Sequence, residues 1–387
     1  MRSQDKILGP SSRSDIASFI AMDVMKLANE READGESILH LEVGQPSTSA
    51  PKAVLEAAQN ALVSDKIGYT DAHGIPQLRE RLARHYRDYY GVEVDPVRII
   101  ITAGSSGAFV MSFLAAFDAG DRLALAEPGY PAYRNILKAL GLVPVSLAAG
   151  EKTRYQPAPE LLDPVAADLS GLLVASPANP TGTMLSTLDF RELIDWCSER
   201  KIWFVSDEIY HGITYDRRAD TALAYSDDAI VINSFSKYFS MTGWRLGWVI
   251  VPEVLVRPVE RLAQNLFISP PTLSQHAALA AFDAVDELDG HVNRYRINRD
   301  LLLEELPKAG FDHFAPSDGA FYLYADVRDL TQDSEAFCRK VLAETGVALT
   351  PGTDFDLQRG HTSLRISYAG GTEDLREAAR RLQNWRP

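Results

Sequence analysis

The chain has 387 residues, 46% of them hydrophobic and 24% charged, with a formal net charge of −14; its length makes two domains the starting expectation. So acidic a surface argues against nucleic acid or an anionic membrane as the main partner, while a few buried arginines could still reverse the field locally for a small anion. With no run approaching a membrane span, only Cys197 and Cys338 as cysteines and no ligand spacing among eight histidines, neither a disulfide framework nor a metal site is expected, and the expected location is the cytoplasm.

The first sixteen residues read as a loose polar arm. Phe19–Glu32 has the pattern of an amphipathic helix, and Ile38–Val43 that of a short strand stopped by Gly44-Gln45-Pro46. Apolar runs of strand length then recur at Arg98–Thr102, Arg122–Ala126, Leu172–Ala175, Trp203–Ser206, Ile230–Asn233 and Leu246–Val251. Helical patterns lie between most of them, at Ile75–Tyr90, Ser106–Asp118, Tyr130–Leu140 and Thr187–Arg200. Continuous apolar strands alternating with helices predict an α/β fold, a mostly parallel sheet covered on both faces, with ligands at the carboxyl ends of the strands. Past Pro270 the texture changes. Helices are expected at Thr272–Glu287, His291–Pro307, Ser334–Glu344 and Thr372–Asn384, with strands at Phe321–Ala325 and Ser363–Ser367. The expected division is an arm and part of a small domain in 1–43, a large domain in 44–288, and a smaller α+β domain in 289–387 that the N-terminal segment completes.

The chemistry-bearing segments fall just after strands. A lone lysine is ordinarily a solvated surface charge, but Lys237 in Ser234-Phe-Ser-Lys237 follows an apolar strand and is flanked by Ser234, Ser236 and bulky apolar groups. Desolvation there lowers an ammonium's pKa and favours the free, nucleophilic amine. Arg245, eight residues on, is a permanently charged fork suited to a phosphate. Asp207 ends the strand before Glu208-Ile209-Tyr210, where an isolated aspartate would ordinarily cap a turn. Asn179-Pro180-Thr181-Gly182 is a turn sequence. Ala103-Gly104-Ser105-Ser106 joins a strand to a helix, where small residues and free helix N–H groups suit an anion.

Taken together, Ser234–Gly247, Asp207–Tyr210, Asn179–Gly182 and Gly104–Ser106 resemble the motifs of the class I/II aminotransferases, fold-type I pyridoxal-phosphate enzymes, across almost the whole chain. The resemblance implies that Lys237 carries the cofactor as an imine and acts as general base. It implies that Asp207 pairs with the pyridinium nitrogen, keeping the ring an electron sink. Tyr210 and Asn179 would bond its phenolic oxygen, with a cis bond before Pro180 and Asn179 bordering the substrate as well. Gly104, Ser105, Ser106, Ser234, Ser236 and Arg245 would form the phosphate side; some relatives have a lysine where Ser106 stands. Tyr130 would lie over the ring, and Tyr69 would reach the phosphate of a neighbouring subunit, making a homodimer with shared sites. Arg365 in Ser363-Leu-Arg-Ile-Ser367 would grip the substrate α-carboxylate, with Gly44 allowing close backbone approach.

The implied reaction is ping-pong transfer of an amino group from an L-amino acid to a 2-oxo acid. The shared motifs do not separate it from carbon–sulfur β-elimination or other imine chemistry on this fold. A non-catalytic cofactor-sensing role would need a DNA-binding module, for which the acidic chain has no room. Nothing in the sequence selects the amino-acid side chain.

Overall fold

A computed structural model describes residues 9–64 and 67–385. The first half of the expected arm therefore lies outside the described residues; its second half holds one short 3-10 turn, Ser12–Ser14, before the helix Ile20–Ala33.

The central sheet has seven strands, in the order Ile99–Thr102, Gly247–Ile250, Ile230–Ser234, Trp203–Asp207, Gly171–Ala175, Arg122–Glu127 and Val143–Ala148. Gly247–Ile250 runs antiparallel to both neighbours, and the remaining pairs are parallel. A parallel crossover needs a helix-sized connection, and the return from Ser234 to Gly247 contains only the 3-10 turn Thr242–Trp244. The apolar strands are continuous because both faces are covered. Ile99, Ile101, Val231 and Ile250 pack into one core, and Ile100, Ile230, Ile232 and Val249 into the other. Val143–Ala148 escaped the sequence reading because it is a half-exposed edge strand in which exposed and buried positions mix. The helices Lys52–Ser64 and Glu253–Leu266 are further additions.

A second core surrounds an antiparallel sheet ordered Thr350–Pro351, Ser363–Ser367, Tyr322–Asp326 and His313–Phe314. The N-terminal segment joins it where Leu39–His40 pairs in parallel with Val347–Ala348. Only these two residues of the expected strand Ile38–Val43 are regular. Beyond them the backbone leaves the ladder, and the Glu42 carbonyl accepts from the side chains of Thr350 and Arg365 instead.

The expected helices Thr272–Glu287 and His291–Pro307 are divided differently. Thr272–Leu279 ends in the 3-10 turn Ala280–Asp283, and a single helix, Val285–Glu305, then runs through Gly290 and His291. Asp286 and Glu287 sit in its first turn, where the helix dipole favours carboxylates. Its Leu288 packs with the large sheet while Tyr295 and Leu302 pack in the second core, so the helix spans the expected 288/289 boundary.

Candidate active site

Strands Ile99–Thr102, Arg122–Glu127, Gly171–Ala175, Trp203–Asp207 and Ile230–Ser234 all end at the same edge of the sheet, because each is parallel to the others. The segments that follow them supply Gly104–Ser106, Tyr130, Asn179, Asp207–Tyr210 and Lys237. Most of the polar residues singled out in the sequence thus converge for one topological reason.

Lys237 is partly buried, and its Nζ donates to the Gly44 carbonyl at 2.7 Å. It lies 5.7 Å from the centre of the Tyr210 ring and 5.8 Å from that of Phe321. Burial, with the Arg365 guanidinium adding like-charge repulsion, pulls its pKa down to about 8; the Asp207 carboxylate opposes this. Asp207 is 2% exposed. One oxygen accepts from the Ile209 N–H at 3.0 Å, and the other from the Tyr133 hydroxyl. Burial pushes its carboxyl up to about 6 against those two donors and Lys237.

Arg365, 2% exposed, lies with its guanidinium 4.6 Å from the Tyr322 ring centre and 4.7 Å from that of Phe355. One terminal nitrogen donates to Asn179 Oδ1 at 3.0 Å, the other to the Glu42 carbonyl, and buried Nε has no partner among the described residues. An orphaned N–H on a buried guanidinium is costly, and an incoming carboxylate can satisfy it. The Asn179–Pro180 bond is cis, as are Ser176–Pro177 and Glu127–Pro128. Tyr210 is buried and its hydroxyl shares a 2.7 Å hydrogen bond with that of Tyr322. A side chain on Gly44 would put its Cβ 1.8 Å from the Tyr322 hydroxyl, so glycine is required there for packing alone.

Two glycines open space around the phosphate-side residues. Gly104, at φ +70°, starts the helix Gly104–Ala116, two residues earlier than expected, and a Cβ there would lie 2.5 Å from Arg245 Nη2. A Cβ on Gly247 would lie 2.9 Å from the Ser105 nitrogen. Ser234 Oγ donates to Ser236 Oγ at 2.9 Å and accepts from the Ser236 N–H at 3.1 Å, while Ser105 is half-buried and Ser106 exposed. The first helical N–H groups, small residues and the Arg245 fork make a site for a dianion. Tyr130 caps the helix Pro131–Leu140, its ring 5.6 Å from Phe19. Tyr69 projects outward from the chain, 84% exposed.

Three contributors were missed in the sequence. Tyr133 lies one helical turn beyond Tyr130, a spacing that could have suggested a shared direction. Tyr322 and the Glu42 carbonyl reach the group only through the second sheet and carry no local signal. Among the described residues no cluster of histidine, cysteine and carboxylate side chains is placed to hold a metal, and no helix is long and apolar enough to cross a membrane.

This fold and edge define an amino-group transferase, and the chain belongs to the aminotransferase class I and II family, whose pattern matches residues 36–382. It is 49% identical to a valine–pyruvate aminotransferase of Mycobacterium tuberculosis over 379 residues, covering 97% of this chain and 98% of that protein. Among solved structures, an aminotransferase from the same organism superposes with a TM-score of 0.96 at 48% identity, covering 98% of this chain and 99% of the other. The aspartate aminotransferase of Thermus thermophilus, determined with maleate, gives 0.91 at 30% identity, covering 98% and 100%. The protein is thus a pyridoxal-phosphate enzyme that moves an amino group from an amino acid to a 2-oxo acid.

The residues present fit that cofactor: a dry amine at Lys237, a buried carboxylate at Asp207, and a glycine-opened cradle beside Arg245. The pKa of Lys237 is directly testable. Competitive acetylation of the cofactor-free chain from about pH 6 to about pH 11, with the Lys237 peptide quantified by mass, should give half-maximal reactivity near pH 8, because only the free amine reacts. A midpoint near the ordinary lysine value, about 10.4, would contradict the desolvated site.

Proposed function

We propose that the enzyme transfers the amino group of a small apolar L-amino acid, of which valine is the model, to pyruvate, with the roles of its residues as follows. Bound pyridoxal phosphate supplies an electron-withdrawing ring and a carbonyl carbon that carries the amino group between the two substrates. Arg245, Gly104, Ser105, Ser106 and Ser234, with Ser236 bracing Ser234, hold its phosphate. Asp207 faces the ring nitrogen, Tyr210 and Asn179 the phenolic oxygen, and Tyr130 covers the ring. Arg365 grips the substrate α-carboxylate, its unpartnered Nε and the adjacent Nη2, which also reaches the Glu42 carbonyl, forming the fork. Gly44 leaves its carbonyl to hold the Lys237 ammonium and lets Tyr322 close beside it. Lys237 Nζ, as the free amine, would accept the Cα proton of the substrate that Arg365 orients and hold it for delivery to the cofactor's carbonyl-derived carbon.

The observation that carries the substrate class is the surrounding of Arg365 and Tyr130. Phe19 and Tyr322 offer rings there, and besides Asp207 and Arg365 themselves the charge acting on Tyr130 is the Asp354 carboxylate, held by the N–H groups of Ile20 and Ala21. Arg134, its neighbour, is committed to the Asp354 carbonyl. A distal carboxylate would meet rings and a like charge. The name of the Mycobacterium tuberculosis relative supports the same donor and acceptor.

The proposed assembly is a homodimer. The strongly exposed Leu62, Val63 and Tyr69 would be covered by a second copy, and Tyr69 would reach its neighbour's phosphate site. Residues 44–288 and 289–387, the latter completed by 1–43, are proposed as two domains joined through the helix Val285–Glu305, in a cytoplasmic enzyme.

With pyruvate as acceptor, kcat/KM for L-valine should exceed that for L-aspartate by about 10–100-fold, the cost of one unpaired charge. Equal efficiency with L-aspartate would overturn the apolar assignment. Arg365→Lys should lower kcat/KM for amino acids and oxo acids alike by roughly 2–4 kcal/mol of transition-state stabilisation, since a lysine cannot form the planar fork. Amines lacking a carboxylate should lose little in the half-reaction; equal losses would make Arg365 structural. Mixing inactive Lys237→Ala chains with an inactive Tyr69 variant should restore activity through heterodimers bearing one intact site. No recovery despite verified subunit exchange would count against shared sites.

A further inference from the structure

We propose that Asp354 is a positioning residue for substrate selection: from the far end of the chain it caps the helix Ile20–Ala33 and so seats Phe19 against Tyr130, as a wall at the side-chain end of the substrate site. The proposal rests on the apolar reading of that site given above and adds the residue that builds the wall.

The helix needs outside help at its start. The first N–H groups of a helix have no partner within it, and a serine, threonine, aspartate or asparagine at the N-cap usually supplies one. Here the N-cap is Phe19, which has no side-chain acceptor. Packing does little for that end. Of 14 residues only Ala21 and Ala28 are buried, and Ala28 packs midway along, with Ile38, Leu342 and Ala348. Asp354 supplies the missing acceptors. Its Oδ1 accepts from the Ile20 N–H at 3.2 Å and its Oδ2 from the Ala21 N–H at 3.0 Å, across 334 and 333 positions of chain. A carboxylate there also meets the positive end of the helix dipole.

The cap is itself fixed. Asp354 ends the 3-10 turn Gly352–Asp354, is 1% exposed, and its carbonyl accepts from Arg134. Burial pushes its carboxyl above the usual value, while the Ala21 and Ile20 N–H groups, Arg365 and Arg134 favour the charge. With both oxygens bonded, the carboxylate is committed to the helix. The chain is tied on the other side of Phe19 as well, where Asn135 Nδ2 donates to the Ala17 carbonyl at 3.3 Å. Phe19 is thus bracketed, and its ring meets that of Tyr130 edge-on at 5.6 Å. Arg134 and Asn135 belong to the helix that Tyr130 caps, Pro131–Leu140, so one element places both the ring and the wall beside it. Losing the Asp354 bonds frees Phe19 and leaves Tyr130 where it is.

The parent holoenzyme gives the first test, which needs no variant to fold. Residue-resolved hydrogen exchange, read by mass spectrometry, should find the Ile20 and Ala21 amides protected like those of Val24 and Met25 inside the helix. Exchange at the rate of a free helix end would overturn the proposal. In Asp354→Ala these two amides should exchange about five- to tenfold faster, and in the isosteric Asp354→Asn, which keeps one acceptor, by less. The half-reaction with an amino acid alone, followed by the cofactor's absorbance, then reads the wall. Asp354→Ala should raise the L-valine concentration for half-maximal rate about tenfold, with the maximal rate little changed. For L-alanine, whose methyl buries little surface, the rise should be about twofold or less. Phe19→Ala should reproduce this pattern, and adding Asp354→Ala to it should cost nothing further. Equal losses with L-alanine and L-valine, or full additivity of the two variants, would overturn the proposal, because Asp354 would then act through Arg365 or through stability. The apolar reading fails separately, if the parent uses L-aspartate as well as L-valine while the Ile20 and Ala21 amides stay protected.

Discussion

A primary amine that is to attack a carbonyl near neutral pH must be kept from its charge, and a protein can do this only by taking it out of water or setting like charge beside it. Lys237 has both. It sits at the edge of a sheet covered on both faces, with Arg365 close enough to repel and the backbone carbonyl of Gly44 to hold its proton when it has one. The rest of the edge follows from that arrangement. A second cation this near the amine must be neutralised by its ligand, and Arg365 carries an unpartnered N–H for which a substrate carboxylate is the natural acceptor. Asp207, the buried anion of the group, then has to remain ionised against a desolvation that would protonate it, and two donors are spent on keeping it so.

The second sheet matters because the fork comes from it. Arg365 stands on Ser363–Ser367, paired with Tyr322–Asp326, and reaches Asn179 of the large-sheet loops. The two cores are thus joined at the site itself, by one guanidinium lying against Tyr322 and Phe355. Their other link is the helix Val285–Glu305, which packs into both. Close approaches elsewhere fall on glycine: Gly44 against Tyr322, Gly104 against Arg245 and Gly247 against the Ser105 nitrogen leave no room for a Cβ.

Much of this was legible from residue order alone. Lys237, Asp207, Asn179 and Gly104 each follow a continuous apolar strand, and parallel strands bring their carboxyl ends together whatever the helices between them do. The helices Thr187–Arg200 and Thr372–Asn384 have the expected bounds because their apolar periodicity and ends agree. What stayed hidden depends on long-range packing. Val143–Ala148 is an edge strand without a continuous apolar run, and the break at Ala280–Asp283 sits in a sequence that reads as uninterrupted helix. Tyr322 and the Glu42 carbonyl touch Arg365 only because the N-terminal segment and the second sheet close on it, which no local pattern encodes. The side chain of Tyr133 was visible in the motif around Tyr130, but its target, Asp207, lies on another element.

The central claim is that one lysine, selected by burial and like charge, carries the cofactor. The measurement that tests it most directly is reduction of the yellow holoenzyme with sodium borohydride followed by tryptic peptide mapping. The cofactor should be fixed on the peptide containing Lys237 and released from Lys237→Ala on denaturation. A reduced adduct located on any other lysine would contradict the account.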